Sequence, residues 1–239
     1  YLYNSHFQNL QIVFDASYGK DLEENIGLID LLEEINKIDG IERIRLSSLE
    51  PTLITEEFVK RLSKLAKICD HFHLSLQSGC NETLKRMNRH YTTEDFKEAT
   101  ELLRKTYPNV ALTTDIIVGF PGETDEEFED TLDVVQKVKF EQVYMFIYSR
   151  RVGTPGDRME NQVPEEIKHI RFNKLKDLVE SQIEENNKKY IGTIQKILVE
   201  GTSKNNEEML TGRTDSNKVV IFEGNKELIN QIINIKIIS

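Results

Sequence analysis

The residues best suited to chemistry lie at four points where an apolar run gives way to polar residues. The first is the stretch RLSSLEP, which begins like a buried strand and ends in Ser47, Ser48 and Glu50. Three later runs end in the same manner, at QSG (77–79), GFPGE (119–123) and YS (148–149). In parallel α/β sheets and β/α barrels, ligands gather at the carboxyl ends of the strands. The pattern therefore predicts one shared polar rim, although each turn taken alone is equally typical of a capped loop.

Three carboxylates near these strand ends are candidates for acid–base catalysis, namely Glu50, Asp115 and Glu123. Such catalysis needs a paired carboxylate or a nucleophile within hydrogen-bond reach of the reacting group. The sequence supports no such pairing, so a barrel lyase or hydrolase is the least favoured interpretation of the chain.

The segment GFPGETDEEF (119–128) is the sharpest local signal. Thr124 and Glu127 have the spacing of a capping box, which marks the start of a helix. Gly119 and Gly122 would let a ligand approach the backbone near that helix N-terminus. An ordinary strand–helix turn is the competing interpretation, and the glycines taken alone favour it.

Metal-ligating residues are sparse. His71 and His73 lie on one face of a predicted strand with no third ligand nearby, which favours hydrogen-bonded histidines over a metal site. Cys69 and Cys80 belong to no CxxC or CxxxCxxC motif. We therefore predict no metal site in this chain and free thiols rather than a disulfide.

Two arginine-containing segments follow strands. KRMNRHY places Arg86 and Arg89 on a predicted short helix, and YSRRVGTPG places Arg150 and Arg151 before a turn. The first pair suits phosphate or carboxylate, although a solvated basic face is the usual explanation for such residues.

Five apolar segments must position these residues, and we predict them to be strands: 10–14, 41–47, 71–77, 110–120 and 142–149. The segments between them show helical spacing of apolar residues. Near-continuous apolar strands separated by helices predict a parallel sheet in an α/β fold. Five consecutive strand–helix units favour a partial β/α (TIM-like) barrel over a doubly wound sheet.

The chain is predicted to have three parts. Residues 1–156 form the partial barrel, and residues 157–189 form a connecting helix with Pro164 at a helix start. Residues 190–239 contain β-branched runs broken by Gly201, Gly212 and Gly224, which predict a small antiparallel β-barrel.

The composition of the 239 residues excludes several classes of protein. No apolar run approaches the roughly 18 residues that would cross a bilayer, and no signal-peptide pattern opens the chain, so we predict a globular cytoplasmic protein without a membrane partner. The net charge of −10 argues against a surface that attracts nucleic acid everywhere. A local RNA-contacting face in residues 190–239 is compatible with it.

Four segments, taken together and in order, resemble the radical-SAM methylthiotransferases that modify tRNA. These are RIRLSSLEP, HFHLSLQSGCNETLKRMNRHYTTEDF, ALTTDIIVGFPGETDEEFEDTLDVV and YSRRVGTPGDRMENQVP. The resemblance extends from about Ser17 to the C-terminus, where the last part is similar to the TRAM domain, an RNA-binding β-barrel. SSLEPTLITEEFV and LSLQSGC resemble the enzymes that modify threonylcarbamoyladenosine, whereas LVEGTSKN resembles the isopentenyladenosine branch.

The resemblance implies that S-adenosylmethionine binds at the strand ends. By motif position, the implied cofactor-binding residues are Tyr18, Gly19, Ser48, Glu50, Gln77, Ile117 and Gly119. It also implies one [4Fe–4S] cluster on a cysteine triad and a second cluster on a preceding domain. No catalytic residue is identified.

The implied reaction is methylthiolation at C2 of a hypermodified adenosine at position 37 of tRNA, with N6-threonylcarbamoyladenosine as the expected substrate. The implied partners are the tRNA anticodon stem-loop and a reductant protein such as flavodoxin or ferredoxin. In the TRAM-like part, Arg213, Asn217 and Lys218 are the expected RNA contacts, because their side chains suit phosphates and base edges.

The sequence departs from the family in its first part. The cysteine triad and the preceding domain are absent from it, and IVFDA replaces the glycine-rich strand end before SYG. Because such a cluster needs three thiolates, we expect this chain alone to be inactive and to be a fragment of the enzyme. The alternative is a non-catalytic RNA-binding or scaffold protein built from the same barrel and TRAM parts.

Overall fold

Five parallel strands form the first part of the protein, whose computed structural model describes residues 9–13, 18–19 and 26–239. The strands are β1 (Asn9–Val13), β2 (Arg43–Leu49), β3 (Ile68–Leu74), β4 (Ala111–Val118) and β5 (Gln142–Ile147). They are hydrogen-bonded in chain order, each parallel to the next. A doubly wound sheet would reverse its strand order at a switch point. The consecutive order is that of a β/α barrel, so the predicted partial barrel is confirmed.

The outer face of this sheet is apolar and covered by helices. These are α1 (Leu28–Asn36), α2 (Glu56–Leu62), α3 (Asn81–Arg86), α4 (Thr93–Thr106) and α5 (Asp125–Val138). Because side chains alternate between the faces of a strand, Ile44, Phe72 and Leu112 all point to this side. They join Leu32 and Phe96 in one continuous buried core.

The inner face of the sheet is polar. Arg43, Arg45, His71, His73 and Thr113 occupy the alternate positions of β2, β3 and β4, and each is less than 9% exposed. A buried polar face needs partners, because burying polar groups without hydrogen bonds costs free energy. Those partners come partly from the last domain of the chain.

Strand β3 ends earlier than predicted, at Leu74 rather than at residue 77. Gln77 then makes a single bridge to Ile116 in β4. Its backbone φ of 67° is left-handed and cannot continue an extended strand. The prediction of a continuous strand over 71–77 is therefore wrong at its carboxyl end.

Two helices lie between the sheets, α6 (Pro155–Arg158) and α7 (Glu165–Lys188). Helix α7 begins directly after Pro164, as predicted, and buries Leu175 and Val179 in the barrel core. The predicted limits of the three parts, 1–156, 157–189 and 190–239, stay predictions.

The last part is a separate antiparallel sheet. Its strands are β6 (Ile194–Thr202), β7 (Met209–Arg213), β8 (Val219–Glu223) and β9 (Ile232–Lys236), in the order β8-β7-β6-β9. This arrangement confirms the predicted small antiparallel domain. Within the described residues, every helix is too short or too polar to cross a membrane.

Candidate active site at the strand ends

The carboxyl ends of four strands lie side by side and form one rim. Hydrogen bonds between neighbouring chain segments continue past the strands: Ser75 N–H donates to Leu49 O (3.0 Å) and Ile117 N–H to Gln77 O (3.0 Å). Tyr148 N–H donates to Val118 O (2.9 Å) in the same way. The rim therefore carries Ser48 near the end of β2, Glu50 directly after it, Gln77 after β3 and Ile117 from β4.

Two of these residues hold an uncommon backbone conformation. Ser48 has a φ of 60° and Gln77 a φ of 67°, in the left-handed region that costs a non-glycine residue ~1–2 kcal/mol. Gln77 is kept there by its bond to Ile117 and by donating its N–H to Asp115 O (2.9 Å). Such strain clusters at ligand-binding sites, where it aims side chains that a regular strand would point elsewhere.

Polar side chains on the rim are left available for a ligand. Gln77 is 7% exposed, and its side-chain amide has no hydrogen-bond partner among the residues that the structure describes. The side chains of Ser48 and Glu50 are likewise free of hydrogen bonds to the described part of the chain. A side-chain amide that has no partner within the described residues is free to form hydrogen bonds with a ligand at the rim.

The donor set suits S-adenosylmethionine. This cofactor presents an ammonium group, a carboxylate, ribose hydroxyls and an adenine, which an amide, a hydroxyl and a carboxylate can bind by hydrogen bonds. Ile117 adds an apolar side chain one alternation beyond Asp115 on the inner face of β4. The residues of the rim therefore fit this cofactor.

The described residues do not fit an iron–sulfur cluster. No group of three or more Cys, His, Asp or Glu side chains that could hold a metal is found in the described residues. Cys69 and Cys80 are both buried free thiols, one within β3 and the other just before α3. No step of a reaction is assigned to a cluster on these residues.

A buried tyrosine beside the rim is influenced by the charges of both Glu50 and Arg89. Burial raises the pKa of Tyr91 to about 12, and the charges of Arg89 and Glu50 act on this pKa in opposite directions. The Tyr91 O–H donates to Leu76 O (3.3 Å) beside the rim. Arg86 instead forms an ion pair with Glu127 of the Thr124 capping box.

Tyr18 and Gly19 form a turn after β1. Gly19 has a φ of 81°, and a Cβ on it would lie 1.7 Å from Ile26 O, so only glycine fits this turn. Tyr18 packs against the barrel core. A contact of these two residues with the cofactor stays a prediction.

Two rim glycines are explained by packing within the protein. A Cβ on Gly119, which has a φ of 73°, would lie 2.3 Å from Lys168 Cγ of α7. A Cβ on Gly79 would lie 2.5 Å from Thr131 Cα of α5. From the sequence, ligand approach was weighed against an ordinary strand–helix turn, which the glycines of GFPGE taken alone favoured; nothing in the sequence showed that α7 crosses this loop.

Glu123 holds α7 against the same loop. Its side chain is 2% exposed, and Oε1 accepts from Gly119 N–H (2.9 Å) and from Arg171 Nη1 (2.7 Å). Burial raises the pKa of Glu123, while the Gly119 N–H and the Arg171 charge act against this rise. Because this carboxylate is buried in an ion pair, it does not suit the acid–base role considered for a lyase or hydrolase.

The predicted hydrogen bonding of the two histidines is confirmed. Thr113 Oγ1 lies 3.2 Å from His71 Nε2 and 3.0 Å from His73 Nδ1, and His73 Nε2 lies 3.2 Å from Asp115 Oδ2. The Tyr144 ring of β5 packs beside His73 at 5.8 Å. A hydrogen-bonded chain thus runs along the inner face from His71 to Asp115, whose side chain is 31% exposed.

We expect His71 to make the protein less stable in acid. Burial, and secondarily the charges of Arg45, His73 and Arg213, lower the pKa of His71 to about 3. An unfolded histidine has a pKa near 6.5, so between about pH 6 and pH 4 only the unfolded chain binds this proton. The free energy of unfolding should therefore fall by up to ~1.4 kcal/mol per pH unit as the pH falls through this window.

Urea unfolding at several pH values tests this expectation in His71→Gln, which cannot be protonated. The variant should lose this part of the pH dependence, whereas His169→Gln, a change at an exposed helix position, should keep it. Equal slopes for all three proteins would contradict the expected role of His71.

The three expected RNA contacts lie together, but away from the rim. Arg213 Nε is 3.2 Å from Glu200 Oε2, and its guanidinium also donates to Asn217. Lys218 Nζ is 2.6 Å from Glu141 Oε2 and donates to Asn187 Oδ1 (2.8 Å). The turn between β7 and β8 thus places these residues beside the amino end of the barrel, and their contact with RNA stays a prediction.

Comparison with protein families identifies both parts of the chain. The Radical SAM superfamily matches residues 17–135, and the TRAM domain matches residues 188–239. Enzymes of the Radical SAM superfamily use S-adenosylmethionine and a [4Fe–4S] cluster.

Curated relatives carry the name tRNA-2-methylthio-N(6)-dimethylallyladenosine synthase. The protein from Clostridium botulinum (strain Loch Maree / Type A3) is 48% identical over 223 residues, covering 93% of this chain and 50% of the relative. The protein from Clostridium tetani is 48% identical, with 92% and 49% covered, and that from Clostridium beijerinckii is 49% identical, with 93% and 49% covered. The chain spans about half the length of the curated relatives it matches.

Solved structures share the fold. Coproporphyrinogen III oxidase (HemN) from Escherichia coli, a radical SAM enzyme, matches with a TM-score of 0.53 at 12% identity, over 80% of this chain and 54% of its own. The archaeal Elp3 of Methanocaldococcus infernus matches with a TM-score of 0.50 at 16% identity, over 70% and 44%. The chain therefore carries a Radical SAM barrel followed by a TRAM domain, and it is similar to the tRNA-2-methylthio-N(6)-dimethylallyladenosine synthases over about half of their length.

Proposed function

We propose that this chain supplies the cofactor-binding barrel and the RNA-binding domain of an enzyme that methylthiolates N6-dimethylallyladenosine in tRNA. The observation that carries the proposal is the rim, where the side-chain amide of Gln77, without a partner among the described residues, stands beside Ser48 and Glu50 at the carboxyl ends of parallel strands. Sequence reasoning favoured N6-threonylcarbamoyladenosine as the substrate. The names of relatives at 48–49% identity support the dimethylallyl nucleoside instead.

The rim residues bind and orient the cofactor in this proposal. Gln77 donates or accepts through its amide, Glu50 accepts from an ammonium or hydroxyl group, and Ser48 does either. Ile117 packs against the adenine, and the loop from Gly119 to Glu123, fixed by α7, closes the site beside it. When bound, S-adenosylmethionine supplies radical chemistry that a reduced iron–sulfur cluster elsewhere in the protein starts.

The TRAM domain binds the tRNA in this proposal, with the anticodon stem-loop as the partner and the cytoplasm as the site of action. Arg213 and Asn217 are offered as contacts to phosphates and base edges, together with Lys218. A flavodoxin- or ferredoxin-type protein is the proposed source of electrons.

Nucleoside analysis tests the proposal. The full-length protein, reconstituted without oxygen with iron, sulfide, S-adenosylmethionine and a reductant, is incubated with tRNA that carries either N6-dimethylallyladenosine or N6-threonylcarbamoyladenosine. Mass spectrometry should detect the 2-methylthio product in the first tRNA only. Product in the second tRNA alone would overturn the substrate, and tRNA binding without any product would favour the non-catalytic RNA-binding protein.

A further inference from the structure

Two arginines are buried inside the barrel, where charge is expensive. Arg43 is 4% exposed and Arg45 is 5% exposed, and both lie at the amino end of β2 on its inner face. A guanidinium is kept in such a place only if its N–H groups are paired.

The partners of both arginines belong to the TRAM domain. Arg43 Nη1 donates to Arg213 O (3.0 Å) and Nη2 to Lys196 O (3.0 Å), while Nε lies 2.9 Å from Asp215 Oδ1. Arg45 Nη1 donates to Asp215 O (2.9 Å) and Nη2 to Thr214 O (3.1 Å). Four of these acceptors are main-chain carbonyls, two in the turn after β7 and two in β7 and β6, so the arginines bind main chain more than side chains.

The turn that they hold closes the amino end of the barrel. Thr214 of this turn is 1% exposed. Cys69 and His71 of β3, on the inner face beneath the turn, are each 3% exposed. Ile44 of β2 pairs with Ile68 of β3 and Leu46 pairs with Phe72, so Cys69 lies beside Arg45 on the inner face of the sheet.

A second contact lies beside the first. Lys218 forms its ion pair with Glu141 before β5, with both side chains less than 20% exposed. Tyr190 O–H donates to Ser216 Oγ (3.2 Å) after the end of α7. Two separate contacts prevent the TRAM domain from turning about either one.

We propose that Arg43 and Arg45 are positioning residues that clamp the TRAM turn 214–217 into the amino end of the barrel. The clamp holds the TRAM domain at a fixed distance from the rim at the opposite end of the strands. This consequence for RNA rests on the proposed function, whereas the clamp itself does not. Lysine should not replace these arginines, because a single ammonium cannot match the fork of donors that reaches several carbonyls.

Cys69 offers a direct measure of the clamp. The chain has two cysteines, so Cys80→Ser leaves Cys69 as the single thiol under the turn. In this background, the rate of reaction with an aromatic disulfide reagent reports how often the turn leaves the barrel. Arg45→Ala and Arg45→Lys should each raise the rate at least about tenfold, since bonds to charged donors are the strong ones.

Matched controls separate local opening from unfolding. Arg61→Ala also removes a barrel arginine with two carboxylate partners, Asp30 and Glu33, but both lie within the barrel, so the rate should stay within about twofold. Low urea should change the elevated rates little, because undocking exposes little surface. Asp215→Ala, at a side chain that is 48% exposed, tests the same contact from the TRAM domain and should raise the rate at least about threefold.

An unchanged labelling rate in both Arg45 variants would overturn the clamp. So would an increase that rises with urea as steeply as global unfolding does. The labelling needs no cofactor and no tRNA, so an inactive full-length enzyme would refute the proposed function and leave this result standing.

Discussion

Glu123→Ala is expected to lower the free energy of unfolding by ~3–5 kcal/mol, because it leaves a buried arginine without its buried partner. The side chains of Glu123 and Arg171 are 2% and 7% exposed, so water cannot replace the lost carboxylate well. Gly119 N–H loses its acceptor as well. Urea unfolding followed by circular dichroism measures the loss.

Two comparisons make this test specific. Glu129→Ala removes an ion pair with Lys174, which lies on α7 like Arg171. Both partners of this pair are more than half exposed, so the change should cost less than ~1 kcal/mol. The double change Glu123→Leu with Arg171→Met replaces the ion pair by apolar groups and should recover most of the loss. If Glu123→Ala cost no more than Glu129→Ala, the pair would not be the anchor of α7.

Gly119→Ala is expected to cost ~2–5 kcal/mol, the sum of two separate effects. A left-handed φ of 73° costs an alanine ~1–2 kcal/mol, and a Cβ 2.3 Å from Lys168 Cγ forces a local shift that adds ~1–3 kcal/mol. Gly153→Ala isolates the first effect, because its φ is 88° and nothing lies within 4 Å of the added Cβ. Equal losses of unfolding free energy in the two variants would contradict the close approach of Lys168.

The barrel could be predicted from the sequence because its signals are local. In the sequence, each barrel strand is a short apolar run that ends in polar residues. Thr124 and Glu127 predict the start of a helix, and the structure confirms them as a capping box. The order of the strands follows from their alternation with helices. The common rim followed from the rule that parallel strands end at the same edge.

The parts that could not be predicted depend on distant residues. Arg45 and its carbonyl acceptors are about 170 residues apart, and Gly119 is explained by a side chain of a later helix. The alternate arginines of IERIRLS gave a signal that was missed, since charges inside a predicted buried strand require partners. Ser48 and Gln77 were found as polar strand ends, but their left-handed backbone depends on the sheet around them.

The amino end and the carboxyl end of the barrel have different tasks in this account. The amino end is closed by a protein turn, and its two buried arginines, Arg43 and Arg45, find their partners within the chain. The carboxyl end keeps Ser48, Glu50 and Gln77 without partners among the described residues. The second arrangement leaves hydrogen-bonding groups for a cofactor.

The most direct test of this account is the affinity of the full-length, anaerobically reconstituted protein for S-adenosylmethionine in Gln77→Gly, measured by calorimetry. Glycine accepts the left-handed backbone without strain, so the change removes the side-chain amide alone. We expect about tenfold weaker binding, the loss of one hydrogen bond, while Asn88→Gly, at another left-handed residue (φ 58°), binds as the parent does. Unchanged affinity in Gln77→Gly would show that the strand-end rim is not where the cofactor binds.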